Sequence, residues 1–217
     1  VVATGQVQGD EVEDPGAGSM PLVRLSRLGR AVSPLDDVWA TRELRELIGD
    51  LKPDVVNTHT AKAGLVGRAA ALSLGRNRPA LVHTVHGHLL TGYFSPLAVR
   101  GISTSERLMA SASDLVLAAG EKVRDDLVSA GIVGADKVRV VRPGVRDFDR
   151  IDAATARVQL GAPALRPGAV VAGWLARVVR VKRPDRLAGA ALRTPEVEYL
   201  VGGDGVLREG LDQRAPA

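Results

Sequence analysis

All four histidines of the 217-residue chain, His59, His83, His86 and His88, fall in one 30-residue window. Three chemistries fit such a cluster. His83-x-x-His86-x-His88 has a spacing used by metal ligands, but no carboxylate or cysteine joins it, and a strand period of two puts His83 on the face opposite His86 and His88. Buried or hydrogen-bonded histidines also brace loops. The third reading is a polar site for a sugar, in which one imidazole aligns or deprotonates a hydroxyl. The cluster as a whole is read in this third way, with the bracing role open for each histidine taken singly.

A second candidate is Gly173 to Arg183, GWLARVVRVKR. Arg177 and Lys182 follow a strand pattern and precede Pro184, which suits the first turn of a helix. A helix N-terminus offers free N–H groups and partial positive charge. Two cations beside it form a cradle for a diphosphate, each worth roughly 4 kcal/mol at 4 Å and an effective dielectric near 20. Exposed loop charges are the alternative for this pair, and Arg180 and Arg183 are read as solvated. Gly202-Gly203-Asp204-Gly205 also follows a strand, and admits either close approach of a ligand or a tight turn. No strand is followed by a G-x-G-x-x-G fingerprint, and there is no G-x-S-x-G elbow or P-loop.

The elements around these residues alternate. Strand patterns occur at 22–25, 55–59, 80–86, 114–118, 138–141, 169–175 and 198–201. Helical patterns lie between them: one capped by Asp36 and Asp37 and stopped by Pro53, then 61–74, 103–112, 121–130, a short one at 157–160, and one from Pro184 to about Leu192. Residues 10–19 read as an acidic, Gly-rich surface loop. Repeated strand–helix alternation predicts open parallel α/β sheets, with ligands beyond the carboxyl ends of the strands. The stretch from Pro143 to Gly168 is the predicted hinge, giving domains 1–148 and 149–217.

Composition agrees with that class. Hydrophobic residues make up 45% and aromatics 3%, so Val, Leu, Ile and Ala must build the core. Arginine and lysine (29) exceed aspartate and glutamate (25) by only four and are spread along the chain, with no basic stripe interleaved with aromatics, which argues against nucleic acid. The absence of cysteine excludes disulfides, thiolate metal sites and cysteine nucleophiles. No apolar run reaches the ~20 residues of a membrane span.

Several runs resemble family 4 of the retaining glycosyltransferases. They are Pro53 to Gly64 with Gly67-Arg68; His83-Thr84-Val85-His86-Gly87-His88 with Gly92-Tyr93-Phe94; Glu106-Arg107-Leu108; Val140 to Val145; Arg177 with Lys182-Arg183-Pro184-Asp185; and Gly203-Asp204-Gly205 with Leu207-Arg208. The resemblance implies a GT-B-type α/β fold of two Rossmann-like parallel-sheet domains, the N-terminal one lacking its first strand and the C-terminal one incomplete. It implies that Arg177 and Lys182 hold the diphosphate of a nucleotide sugar, with Gly173, Gly203 and Asp204 on the donor side. It places His86 beside the donor sugar, and His59, Lys62, Thr84, Gly87 and His88 on the acceptor or sugar side. The implied reaction transfers a hexosyl or N-acetylhexosaminyl group, from a UDP-sugar by expectation, to a glycan or lipid-linked acceptor. It proceeds with retention and without metal or other cofactor.

Ala176 stands where that family has Gly, and Val206 where it has Pro. The family's two donor-gripping glutamates would lie past Ala217, so the 217-residue chain alone is expected to be inactive and to belong to a longer protein. The expected setting is the cytoplasm, with a peripheral contact at the inner membrane left open. Rival readings are a nucleotide-sugar epimerase of the same architecture, a non-catalytic nucleotide-sugar-binding remnant, and a binder of nucleic acid or membrane surfaces through charge alone.

Overall fold

The computed structural model describes residues 1–6, 20–29, 31–87, 96–144, 147, 149–161, 166 and 168–213, with 96–99 described by their backbone. The chain divides into two compact units, Val1–Val145 and Arg146–Ala217.

The first unit runs β1 (Val2–Thr4), β2 (Leu22–Arg24), α1 (Pro34–Leu51), β3 (Val55–His59), α2 (Ala61–Leu72), β4 (Ala80–Val85), α3 (Pro96–Ala112), β5 (Leu115–Ala118), α4 (Glu121–Ser129) and β6 (Val138–Val140). β3, β4, β5 and β6 form a parallel sheet in that order, while β1 and β2 pair in parallel by themselves. Parallel neighbours need a crossover between them, and α2, α3 and α4 supply it in turn. The carboxyl ends of β3 to β6 therefore share one edge, which is where His59 and His86 lie.

The core is aliphatic, as the shortage of aromatics requires. Leu81 of β4 packs with Ile48 of α1 and with Ala70 and Ala71 of α2. Val85, Val116, Ala118 and Val138 of the sheet pack with Ala110 and Leu127 of the helices. Two glycines seat α2 directly on the strands. A Cβ on Gly64 would come 2.5 Å from the His83 ring, and one on Gly67 2.7 Å from the Thr58 methyl. Asp114, just before β5, accepts from the Leu81 N–H at 2.7 Å and from Arg78 at 2.6 and 3.0 Å, which ties β4 to β5.

The second unit holds α5 (Ala153–Gln159), β7 (Val170–Leu175), α6 (Pro184–Arg193), β8 (Val197–Gly202) and α7 (Arg208–Asp212). β7 and β8 are parallel and α6 is their crossover. Val178, fully buried, packs with Ala188 and Leu211 and with Trp174, Leu187 and Val201. Among the described residues no helix is long and apolar enough to cross a membrane.

Several boundaries differ from the sequence reading, and α5 begins at Ala153, four residues before the short helix read at 157–160. α1 starts at Pro34 with Ser33 as its N-cap, and Asp36 and Asp37 lie in its first turn, where their charge meets the positive end of the helix. α3 starts at Pro96, seven residues earlier than the pattern suggested, and runs through Gly101, where an added Cβ would meet open space. β4 ends at Val85, so His83 sits inside the strand and His86 beyond it.

Candidate active site

At the β3 edge the chain leaves His59, passes Thr60 and enters α2. Thr60 has φ 64° and ψ 162°, a left-handed conformation for a residue with a branched Cβ. Such a residue stores about 1–3 kcal/mol of strain, and such strain concentrates at functional sites. The turn lets α2 start one residue after the strand. His59 lies opposite Thr84 in the parallel register, and His86 follows two residues on. The two exposed imidazoles meet edge to edge: His59 Nδ1 is 2.8 Å from His86 Nε2, with ring centroids 5.1 Å apart and ring planes inclined by 27°. Partial burial, and then the neighbouring His86, lower the His59 pKa from its ordinary value.

Thr84 and Lys62 are held by other residues. The Thr84 hydroxyl donates to Asn57 Oδ1 at 3.0 Å, across the strands. Lys62 pairs with Asp37 Oδ1 at 2.7 Å and donates to the Ala31 carbonyl, joining the start of α2 to α1. Gly87 is exposed, and an added Cβ would meet nothing within 4 Å. His88 lies outside the described residues, as do Gly92, Tyr93, Phe94 and Val145.

Beneath the histidine pair lies a polar network that the sequence reading did not find. Arg68 of α2 (0% exposed) gives both carboxylate oxygens of Glu106 of α3 (5% exposed) hydrogen bonds of 2.9 Å, and its Nε donates to the Gly64 carbonyl at 2.9 Å. His83 (2% exposed) bonds the Thr58 hydroxyl at 2.8 Å, and its Nε2 lies 4.0 Å from Glu106 Oε2. Burial, and then the Arg68 charge, push the His83 pKa down to about 3, so this ring is neutral at pH 7. His83 therefore braces the wall while His59 and His86 face solvent. The available signal was period two: His83 shares a strand face with Leu81 and Val85. Arg68 and Glu106 entered the sequence reading only as members of the runs that carry the family resemblance, with no contact between them.

In the second unit, Arg177 and Lys182 occupy the connection from β7 to α6. Both are exposed, and neither makes an ion pair or side-chain hydrogen bond among the described residues. Arg183 differs: its guanidinium binds Asp185 at 2.8 and 2.6 Å, and its backbone caps α6 at φ 54°. The Asp185 carboxyl, hydrogen-bonded by Arg183, is held down at about 2. It brings negative charge to the helix N-terminus.

Gly203 and Asp204 follow β8 against the 176–178 backbone. Ala176 N–H donates to the Gly202 carbonyl, Val178 N–H to that of Asp204, and Leu207 N–H to that of Val178. A Cβ on Gly203, at φ 123°, would lie 2.0 Å from the Ala176 oxygen, so its glycine is demanded by backbone contact. Asp204 Oδ1 accepts from Gly205 N–H at 2.7 Å, closing the turn. Gly173, in β7, is exposed with open space at its Cβ position. Leu175 and Val206, both 87% exposed, place apolar side chains in the same region of the unit. Among the described residues no three His, Asp or Glu side chains converge as metal ligands would.

Comparison with known proteins agrees with this arrangement of parallel sheets. The chain is similar to the D-inositol 3-phosphate glycosyltransferase of Mycobacterium sp. (strain KMS), 32% identical over 162 residues, 69% of this chain and 34% of that protein. It spans about a third of the length of the curated relatives it matches over most of its residues. Its structure is similar to that of Anabaena Alr3699/HepE solved with UDP, with a TM-score of 0.62 at 22% identity, covering 89% of this chain and 52% of the other. Sucrose-phosphate synthase from Thermosynechococcus elongatus gives a TM-score of 0.67 at 18% identity, covering 95% and 52%. These two likenesses identify the fold as α/β of the GT-B type. Residues 2–147, two thirds of the chain, match the profile of a single family, and the chain belongs to Glycosyltransferase Family 4.

Proposed function

We propose that this protein transfers a sugar from a nucleotide diphosphate, a UDP-sugar, to a hydroxyl of a glycan or lipid-linked acceptor, with retention at the anomeric carbon and without a divalent metal. The observation that carries the reading is the pair Arg177 and Lys182, two exposed cations with no side-chain partner among the described residues, beside the start of α6. A departing diphosphate gains negative charge as the C1–O bond breaks, and fixed cations lower that barrier most where charge develops. The acceptor oxygen forms the new bond to C1, and its proton leaves to the departing phosphate. His86 is assigned to the sugar, where an imidazole aligns a hydroxyl. The turn through Gly203 and Asp204 shapes the donor side by holding the 176–178 backbone. UDP in the Anabaena neighbour supports the choice of donor base, and the name of the mycobacterial relative adds a polyol phosphate to the acceptors worth offering. The use of a nucleotide sugar supports a cytoplasmic setting as part of this proposal.

The test uses the natural full-length polypeptide, a panel of UDP-sugars, and acceptors including lipid-linked glycans and inositol 3-phosphate. Product stereochemistry is read by NMR, with and without EDTA. Transfer with retention that survives EDTA is expected, and Arg177→Ala should lower turnover about 100-fold, as for loss of one transition-state donor. Near-normal turnover of that variant overturns the diphosphate assignment. Loss of activity in EDTA overturns the metal-free reaction. Release of an epimerised sugar without acceptor identifies an epimerase.

A further inference from the structure

We propose that His59 is a positioning residue for His86: it fixes the ring and the proton of His86 through their direct Nδ1···Nε2 contact. The proposal rests on the assignment of His86 to the sugar.

The contact is short and edge to edge, with 2.8 Å between nitrogens and 5.1 Å between centroids. A neutral imidazole carries one N–H and one lone pair. Two facing nitrogens at 2.8 Å hold a single proton between them, since two N–H groups would collide and two lone pairs would repel. The tautomers of the rings are thus linked. When His59 Nδ1–H donates, His86 carries its own hydrogen on Nδ1; when His86 Nε2–H donates, His86 Nδ1 is bare. His59 thereby decides which end of His86 donates and which accepts.

The sheet fixes this pairing. His59 ends β3 opposite Thr84, and the bond from Thr84 to Asn57 clamps the same strand ends. Thr60, in its strained turn, joins His59 directly to the start of α2. Among the charged and titratable groups of the packed elements are His83 on β4, Lys62 and Arg68 on α2, Asp37 on α1 and Glu106 on α3. Of these, Lys62 is neutralised by Asp37 and Arg68 by Glu106.

Two substitutions separate the partner from its loss. Asn has an amide where His has Nδ1, so His59→Asn keeps a hydrogen-bond partner for His86 Nε2; His59→Ala removes it. In the natural full-length polypeptide, long-range ¹H–¹⁵N spectra of the imidazoles should show His86 in one tautomer and His59 in the tautomer that matches it. His59→Asn should keep His86 in one tautomer, and His59→Ala should leave His86 exchanging between tautomers. With a UDP-sugar donor, His59→Ala should lower kcat about 10-fold at unchanged donor KM, as for loosened placement of a reacting group, and His59→Asn should recover most of it. A mixture of His86 tautomers in the wild type, or a single one kept in His59→Ala, overturns the proposal. Linked tautomers with kcat unaffected in His59→Ala also overturn it, since the contact would then position nothing that the reaction uses. The spectra need no turnover. A polypeptide that shows linked tautomers but transfers no sugar to any acceptor therefore keeps the contact and refutes the function reading, a result distinct from either of these.

Discussion

Replacing Glu106 by Leu would leave the Arg68 guanidinium, fully buried, without its counter-charge. Both 2.9 Å hydrogen bonds from Arg68 Nη2 would vanish, leaving the Nε bond to the Gly64 carbonyl as the one described side-chain bond of the guanidinium. Breaking a buried pair on one side costs about 3–5 kcal/mol, whereas replacing both partners by apolar groups of similar volume is often neutral. Domain stability is itself only about 5–15 kcal/mol. The expected order is therefore Glu106→Leu much less stable than wild type, Arg68→Leu similarly weakened, and the double variant more stable than either single one. The chain has two tryptophans, Trp39 in α1 and Trp174 in β7. Trp174→Phe thus leaves Trp39 as the fluorophore of the first unit for urea unfolding. Single-variant costs below about 1 kcal/mol, or costs that simply add in the double variant, would refute the reasoning.

Two further outcomes are expected. His83 is held near pKa 3 in the fold against 6.5 when unfolded, so the unfolded chain binds the extra proton between those values. Its share of stability is complete above pH 6.5 and is lost as pH falls toward 3, amounting to about 2 kcal/mol at pH 5. The drop in urea midpoint from pH 7 to pH 5 should shrink in His83→Gln, and an equal drop in both proteins counts against it. Gly203→Ala, with its Cβ driven into the Ala176 carbonyl, should cost at least about 2 kcal/mol in the second unit, read from Trp174 fluorescence in a Trp39→Phe background; a cost near zero would return this glycine to a role in ligand approach alone.

Local patterns carried much of the fold. Val55 to His59 is a strand over the whole predicted range, bounded by Pro53-Asp54 before and the Thr60 turn after. Pro184 begins α6 as its missing N–H and fixed φ suggest. The harder features depend on partners distant in sequence. Arg68 and Glu106 are 38 residues apart and meet because α2 and α3 pack together; neither helix alone signals a buried charge. Gly203 reads as a turn or a ligand contact from sequence, and the facing Ala176 carbonyl supplies the structural reason for it. Lys62 entered the sequence reading through the resemblance, on the acceptor or sugar side, and its pairing with Asp37 needs α1 beside α2. The meeting of His59 with His86 required knowing that β3 and β4 are neighbours in register.

The seating of α2 has an evolutionary consequence. The His83 ring fills the space that a Gly64 side chain would need, and the Thr58 methyl does the same for Gly67. In each pair the size of one residue is set by the other. A lineage that shrinks His83 frees position 64 to acquire a methyl group and the helix propensity that comes with it, whereas the change at 64 made first meets a collision. Substitutions in this pair should therefore be ordered in time, with the strand residue changing before the helix residue.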